Sequence, residues 1–385
     1  VKQLIILQPT PFCNIDCRYC YLPSRSVTDR MSYEVMERIF DEVFQNKRFD
    51  DPLSFVWHAG EPLTVPLSYY REAFDLSSKL NQPYQRKYYH VIQTNGTLIN
   101  DEWADFFLEY NVKVGVSIDG PSFIHDKNRI TRLGQGTHER VLRGIKILQS
   151  KGIPFDVIMV LTRFALDYPD EIFNFFIENG IKNVGFNIDE LEGNHKTSSF
   201  EADDATLKYR KFIRRFVQLV DDSQGKLIVR EFRQLASTVL HTDDHIREPV
   251  GSINTPLQIL TFDCHGNYST FCPELSGTKS ERFGNFVMGN VLVDPIEKIL
   301  DNPIFLMVNE EVQAGVRQCE KSCAYWKVCG GGFPANKFFE NGRFDVMETI
   351  HCRIHTQATV DVILEYFENK LQLRNVDEIA HNQYI

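Results

Sequence analysis

Three cysteines constrain this chain more than any other feature. In Cys13-Asn14-Ile15-Asp16-Cys17-Arg18-Tyr19-Cys20 they fall within eight residues, right after the apolar run Leu4-Ile5-Ile6-Leu7. A first strand would end there and a loop begin. Thiolates are soft ligands that suit iron–sulfur clusters and zinc. No fourth ligand is close: the nearest histidine is His58, so the loop alone cannot close a four-ligand structural zinc site. A four-iron cluster held by three cysteines would leave one iron open to a ligand that is not protein. A metal knuckle completed from elsewhere in the chain, or a group of buried free thiols, is also compatible with the spacing alone.

The length of 385 residues allows two domains, or one large α/β barrel with an appendage. With 43% hydrophobic and 24% charged residues, the balance is that of a soluble globular chain. A formal net charge of −10 argues against a nucleic-acid binder, which usually shows a basic stripe. The sequence has no run of about 18 apolar residues, so no membrane span is expected. The strand-like N-terminus predicts no signal peptide. Nine cysteines, an odd count, do not read as a secreted disulfide framework. They form two groups, Cys13, Cys17 and Cys20 at the front and Cys264, Cys272, Cys319, Cys323, Cys329 and Cys352 at the back. Such clustering suggests two metal-binding regions in a reducing compartment, and the expected location is cytoplasmic.

The first half alternates β-rich runs with amphipathic stretches. Strands are predicted over residues 4–7, 53–57, 88–93, 112–118, 155–161 and 184–188, and helices over 33–44, 69–80, 101–109, 139–149, 171–178 and 205–220. Val141, Leu142, Ile145 and Leu148 show the pattern: their helical spacing makes the stripe a helix buries on a sheet. Alternation of this kind implies right-handed βαβ units and a parallel sheet. Six units suit a partial (β/α)6 TIM barrel better than a closed eight-fold one, and functional loops should collect at the C-terminal ends of its strands. Periodicity weakens after residue 222. The expected division is a barrel over 1–222, a linking region over 223–260 and a cysteine-rich part over 261–385 closed by a helix at 356–371.

Candidate site residues stand at the predicted strand ends. After strand two comes Trp57-His58-Ala59-Gly60-Glu61-Pro62. Gly60 permits close backbone approach and Pro62 extends the chain, so backbone groups can face a ligand; a plain strand-to-helix turn fits equally well. Gln93-Thr94-Asn95-Gly96-Thr97 reads as a turn. Strand four ends in Gly115-Val116-Ser117-Ile118-Asp119-Gly120-Pro121, followed by His125-Asp126-Lys127-Asn128-Arg129. Ser117 at the barrel mouth and Arg129 beyond it can hold a carboxylate through charge-assisted bonds. Strand six leads into Asp189-Glu190-Leu191-Glu192-Gly193. Asp189 and Glu190 stand where a base would be useful, although an acidic loop run is more often simply solvated.

Taken in order, these segments resemble the radical S-adenosylmethionine (SAM) enzymes. C-x3-C-x-Y-C resembles their cluster motif, and the Gly60–Glu61 segment their Gly-Gly-Glu-Pro motif, with Ala59 in place of the first glycine. The Ser117-to-Arg129 block resembles S-x-D-G-P…H-D-x-x-R of the peptide-modifying members that carry a SPASM extension. The resemblance implies that Cys13, Cys17 and Cys20 hold a [4Fe-4S] cluster whose open iron takes SAM. It further implies that Tyr19, Gly60, Glu61, Ser117 and Arg129 contact SAM, and that a 5′-deoxyadenosyl radical removes an unactivated hydrogen.

The rear run Cys319-x3-Cys323-x5-Cys329-Gly-Gly-Gly-Phe333, with the later Cys352, resembles the SPASM ligand run C-x2-C-x5-C-x3-C and its distant cysteine. Its first gap is one residue longer, and Phe333 takes the place of the fourth cysteine. Cys319, Cys323, Cys329 and Cys352 are still expected to complete one auxiliary [4Fe-4S] cluster; zinc would also accept four thiolates. Cys264 and Cys272 resemble the segment that feeds a second auxiliary cluster, which here lacks a full ligand set unless a residue such as His265 completes it.

The segments Ile6–Thr10, Trp57–Leu63, Phe186–Gly193 and Pro273–Gly277 resemble the GrrM-type maturases, related to the XyeB and FxsB types. That resemblance implies a ribosomally made precursor peptide as substrate and a cyclophane product, in which an aromatic ring carbon is joined to a nearby β-carbon. Asp189 or Glu190 would accept the proton, and an external flavodoxin- or ferredoxin-type protein would donate electrons. With no separate winged-helix leader-binding domain expected before the barrel, a leader peptide would bind the barrel, the 223–260 region or the rear part. Two alternatives are an anaerobic sulfatase-maturing, formylglycine-generating enzyme and an iron–sulfur electron carrier. Pro273 after Cys272, where the sulfatase-maturing family has an aspartate, and the incomplete second ligand set count against the former.

Overall fold

The computed structural model describes residues 3–240 and 252–382. The barrel half runs β1 (Leu4–Leu7), α1 (Tyr33–Gln45), β2 (Leu53–Trp57), α2 (Leu67–Asn81), β3 (Tyr88–Thr94), α3 (Asp101–Glu109), β4 (Lys113–Ser117), α4 (Ser122–Asn128), α5 (His138–Ser150), β5 (Phe155–Leu161), α6 (Pro169–Glu178), β6 (Asn183–Ile188) and α7 (Ala205–Asp222). A two-residue strand β7 (Ile228–Val229) and a helix α8 (Arg230–Leu240) follow. The rear part adds β8 (Ile259–Phe262), β9 (Asn267–Thr270) and β10 (Gly289–Asn290). Helices α9 (Pro303–Ser322), α10 (Trp326–Cys329), α11 (Pro334–Asn341) and α12 (Ala358–Asn382) complete it.

All ten strands belong to one sheet, ordered β10-β9-β8-β1-β2-β3-β4-β5-β6-β7. From β8 to β7 every pairing is parallel, with Leu4 opposite Ser54 on one side and Ile259 on the other. Among the described residues the ends β7 and β10 are not paired to each other, so the sheet is open, as six βα units predict. The rear hairpin β8–β9 extends the barrel's own sheet instead of standing apart from it. Residues 241–251 of the predicted linking region lie outside the described residues.

Local chemistry explains the helices. Ser32 caps α1 by accepting from the Val35 amide at 3.2 Å, and Asn100 caps α3 from the Trp103 amide at 2.9 Å, each satisfying a donor that the helix leaves unpaired. Val35, Met36, Ile39, Phe40, Val43 and Phe44 make the buried stripe of α1. It packs into an aromatic core around His90, whose ring stacks on Phe74 at 3.7 Å and bonds Trp57 Nε1 and Ser77 Oγ at 3.2 and 3.1 Å. The final helix begins at Ala358, behind a π-helical turn over Cys352–Gln357, later than its sequence pattern suggests. Among the described residues no helix is long and apolar enough to cross a membrane.

Candidate cofactor and substrate site

The cysteine loop leaves β1 and is strung along the chain that follows α4. Arg18 N donates to Asn128 O at 3.0 Å and Asp16 N to Ile130 O at 2.7 Å, and Ile15 bridges Thr131. Two arginines brace its other side. Arg132 reaches Cys13 O at 2.8 and 3.1 Å and Ser26 Oγ at 2.9 Å, and Arg25 pairs with Asp16 at 2.7 Å. The turn after β3, read from sequence as generic, supplies a third brace. Asn95 Nδ2 donates to Asn14 Oδ1 at 2.8 Å and lies 3.8 Å from Cys13 Sγ, while Asn14 Nδ2 donates to Thr97 Oγ1 at 2.9 Å. Burial pushes the Cys13 and Cys17 thiols up to about 12 and raises Cys20 as well, and the neighbouring thiols add to the rise at Cys13. Such thiols give up their protons to a bound metal.

Tyr19 and Arg129 meet on Asp119, which belongs to the S-x-D-G-P segment but was not singled out as a site residue. Asp119 Oδ2 accepts from the Tyr19 hydroxyl and lies 3.0 Å from Arg129 Nε, and its Oδ1 accepts from Val160 N at 3.0 Å. The Arg129 guanidinium also lies 5.5 Å from the centre of the Tyr19 ring. Arg129 is 7% exposed and Asp119 1%, so this is a buried ion pair directly behind the cysteine loop. Ser117, half-buried at the end of β4, accepts from Gln93 Nε2 at 3.0 Å.

Glu61 is a structural staple. Oε1 accepts from Leu63 N at 3.0 Å and Thr94 Oγ1 at 2.6 Å, and Oε2 from Asn95 N at 2.7 Å, tying the end of β2 to the end of β3. Burial still pushes it up to about 7. The predicted glycine backbone at Gly60 has a left-handed φ of +59°, where an added Cβ would run into the carbonyl oxygens of Thr10 and Phe12. Ala59, which replaces a glycine of the motif, also sits in the left-handed region at +76°. Tyr19, Gly60, Ser117 and Arg129 therefore come from different segments to the C-terminal ends of β1, β2 and β4.

The loop after β6 separates the two predicted carboxylates. Asp189 closes its own loop: Oδ1 meets His195 Nε2 at 2.7 Å and Oδ2 accepts from Ser199 N at 2.9 Å, so both oxygens are engaged. Glu190 faces the rear part, with His351 Nδ1 at 2.6 Å and Asn336 Nδ2 at 2.8 Å. His351 holds Glu190 down at about 2 despite its burial. Burial and Glu190 push Glu192 well up, and burial raises Glu274 to about 7. These carboxylates reach the cysteine loop through Tyr21, whose carbonyl accepts from Asn194 N at 3.0 Å and whose hydroxyl lies 3.4 Å from His58 Nε2. Neither Glu192 nor Glu274 was singled out from the sequence; each was an unpaired acidic residue there, and only the fold brings them together.

The rear cysteines divide. Cys319, Cys323, Cys329 and Cys352 act on one another electrostatically. Gly332 N donates to Cys329 Sγ at 3.1 Å, and Gln357 Nε2 to Cys352 Sγ at 3.4 Å. Cys272 instead lies among Glu274, Glu192 and Glu190, and these together with burial raise its thiol well above the usual range. Cys264 sits at the β8–β9 turn beside Asp263 and Asp29. The hairpin register puts Cys264 beyond the Phe262–Tyr268 pair and Cys272 beyond the Leu260–Thr270 pair, at opposite ends. Phe333 turns its ring onto His351, 4.8 Å between centroids. His265 points to Asp29, 3.5 Å away. These residues do not fit a second auxiliary cluster.

The front thiols fit a cluster with one open iron, because three soft donors share one braced loop and strand-end groups that can hold an amino acid flank it. The four rear thiols supply the donor chemistry that a four-thiolate cluster needs.

The family model for the radical SAM superfamily matches residues 7–176. An uncharacterised protein of Synechocystis, sll1766, is 41% identical over 96% of this chain and 93% of its own length. A serine-type anaerobic sulfatase-maturating enzyme of Bacteroides thetaiotaomicron is 28% identical over 85% of this chain and 81% of its own. Among solved structures, native anSMEcpe with bound AdoMet and Cp18Cys peptide superposes with a TM-score of 0.77 at 22% identity, covering 97% of this chain and 99% of that one. Streptococcus suis SuiB bound to precursor peptide SuiA does so with a TM-score of 0.63 at 16% identity, covering 91% and 75%. At these identities the two structures speak for a shared fold.

Proposed function

The chain belongs to the radical SAM superfamily, and from that premise we propose that it is a GrrM-type maturase that crosslinks a ribosomally made precursor peptide, joining an aromatic ring carbon to a nearby β-carbon. The observation that carries this reading is the meeting of the β6 loop with the cysteine loop. It sets Glu192 beside Tyr21, where the turn after β9 adds Glu274, one residue from the cysteines whose cluster would form the radical. Relatives named as sulfatase-maturating enzymes, and a fold neighbour solved with a precursor peptide, support a peptide substrate.

When bound, the front cluster and SAM supply a 5′-deoxyadenosyl radical that can take a hydrogen atom from an unactivated carbon. Tyr19, Gly60, Ser117 and Arg129 hold SAM, and Glu61 shapes the backbone that meets it. Crosslinking removes two hydrogens from the peptide, one as an atom and one as a proton with an electron. The proton needs an acceptor with a pKa near the working pH. Asp189 and Glu190 have their oxygens committed to partners, whereas Glu274, at about 7, is partly ionised near neutrality and takes that role. Cys319, Cys323, Cys329 and Cys352 would hold one auxiliary cluster, which would be the acceptor for the electron released with that proton. A flavodoxin- or ferredoxin-type donor supplies electrons, and the reaction belongs in a reducing cytoplasm.

The test is anaerobic co-expression with a precursor peptide encoded beside the gene, read by mass spectrometry. Loss of two hydrogens at an aromatic-containing motif is expected. An aldehyde in place of a cysteine or serine side chain would replace this reading by the formylglycine one, which the sulfatase-maturating relatives favour and Pro273 and Phe333 oppose. If the reconstituted protein forms no 5′-deoxyadenosine in the presence of reductant, it is an electron carrier.

A further inference from the structure

Lys337 is the most conspicuous charge in the molecule that neither the motifs nor the proposed reaction uses. It lies on α11, is 2% exposed, and among the described residues its Nζ has no hydrogen-bond partner. Burial lowers its pKa, and the groups that favour its charged form are Cys319, Cys329 and Cys352, once deprotonated, and Asp345. Asp345 is occupied by Arg343 in a pair on the surface. An ammonium without a partner in a dry interior is costly, so a buried lysine beside Gly332, whose amide meets Cys329 Sγ at 3.1 Å, signals an anion that belongs there.

The surroundings are built to admit it. Gly315 lies on α9 one turn before Cys319, and a Cβ there would come within 2.8 Å of Lys337 Nζ. Gly332, which donates its amide to Cys329 Sγ, leaves room beside Lys337 Cε. A side chain at Gly315 would meet both the Phe344 carbonyl oxygen and the lysine's Nζ.

We propose that Lys337 is the buried counter-charge of the rear cluster, a positioning residue that stabilises the cluster's reduced state and raises its potential. This rests on the reading that Cys319, Cys323, Cys329 and Cys352 hold a four-iron cluster. Such a cluster is anionic with four thiolates and gains a further negative charge on reduction. A fixed positive charge in low-dielectric surroundings favours the more negative state. Hydrogen bonds from Gly332 N and Gln357 Nε2 to the sulfurs act in the same direction.

The experiment uses the full chain, anaerobically reconstituted, in a Cys13→Ala/Cys17→Ala/Cys20→Ala background so that only rear iron is read. Iron and sulfide analysis comes first. Four irons per chain are expected on the reading above, and none would refute the rear cluster itself, separately from the role of the lysine. An EPR-monitored redox titration then compares Lys337 with Lys337→Met and Lys337→Arg. Lys337→Met is expected to lower the ratio of reduced to oxidised cluster at a fixed potential at least tenfold, about 59 mV for a one-electron couple. Lys337→Arg should stay within threefold of the parent. A Lys337→Met ratio within threefold of the parent overturns the proposal. Where Lys337→Met assembles no rear iron, Lys337→Arg decides: restored iron supports the counter-charge and unrestored iron overturns it.

Discussion

At the scale of single residues, the three front cysteines and Asp119 make opposite kinds of prediction. Cys13, Cys17 and Cys20 sit on a loop that Arg25, Arg132, Asn14 and Asn95 brace through other atoms. Replacing any one by alanine is therefore expected to abolish 5′-deoxyadenosine formation while the melting temperature changes little. A variant that still forms it at the parent rate would refute the cluster assignment. Asp119 stands in the S-x-D-G-P segment with no role assigned to it there, yet it anchors both Tyr19 and Arg129. Asp119→Asn leaves the buried guanidinium without its carboxylate, and breaking such a pair costs about 3 kcal/mol. Urea unfolding should show that loss, and SAM binding should weaken with it. The cysteines were legible in the sequence because ligand spacing is local. Asp119 was not, because its partners lie a hundred residues away in Tyr19 and about ten away in Arg129, and only the fold makes them neighbours.

Among the elements, strands β1 to β6 and the helices between them follow their sequence patterns to within a few residues, since period and caps are properties of short windows; the exception is α4 (Ser122–Asn128), a seven-residue helix in a stretch read as loop. The loop after β2 shows what such windows miss. Ala59 and Gly60 both have left-handed backbones, a conformation that costs a non-glycine residue about 1–2 kcal/mol. Ala59→Gly should relieve that strain and, after glycine's own entropy cost, raise stability by roughly 0.5–1 kcal/mol in urea. Gly60→Ala should do the reverse, by about 3 kcal/mol. It should also lower iron content at the front site, because the clash falls on the Thr10–Phe12 backbone that leads into Cys13. Equal urea midpoints for the two variants would contradict this account. The rear elements were harder to read: α9 carries Cys319 near its C-terminal end and the turn at Cys352 is π-helical, so the ligand spacing there reflects helix geometry as well as sequence.

In the molecule as a whole, titration of the aromatic core is measurable. Burial lowers His90 to about 3, while an unfolded histidine titrates near 6.5. Below that value the unfolded chain takes up a proton that the folded one refuses, so stability attributable to His90 is complete above about pH 6.5 and is lost as pH falls toward 3. At pH 5 the loss is about 2 kcal/mol. The difference in urea stability between pH 7 and pH 5 should therefore be smaller by that amount in His90→Gln. An unchanged difference would place the charge elsewhere. Across the expected boundary at 260, β8 is a parallel neighbour of β1, so residues 3–240 alone should lack a cooperative unfolding transition. The sequence by itself determined the parallel α/β class and the cysteine spacing, together with the order of the strand-end motifs, because each depends on residues a few positions apart. Tertiary structure alone decided that Asp189 closes a loop, that Glu192 and Glu274 come close enough to Glu190, which pairs with His351, to feel its charge, and that a buried lysine lies beside Gly332, whose amide donates to Cys329 Sγ. Those are matters of charge and desolvation between segments up to about a hundred and sixty residues apart, and no local pattern encodes them.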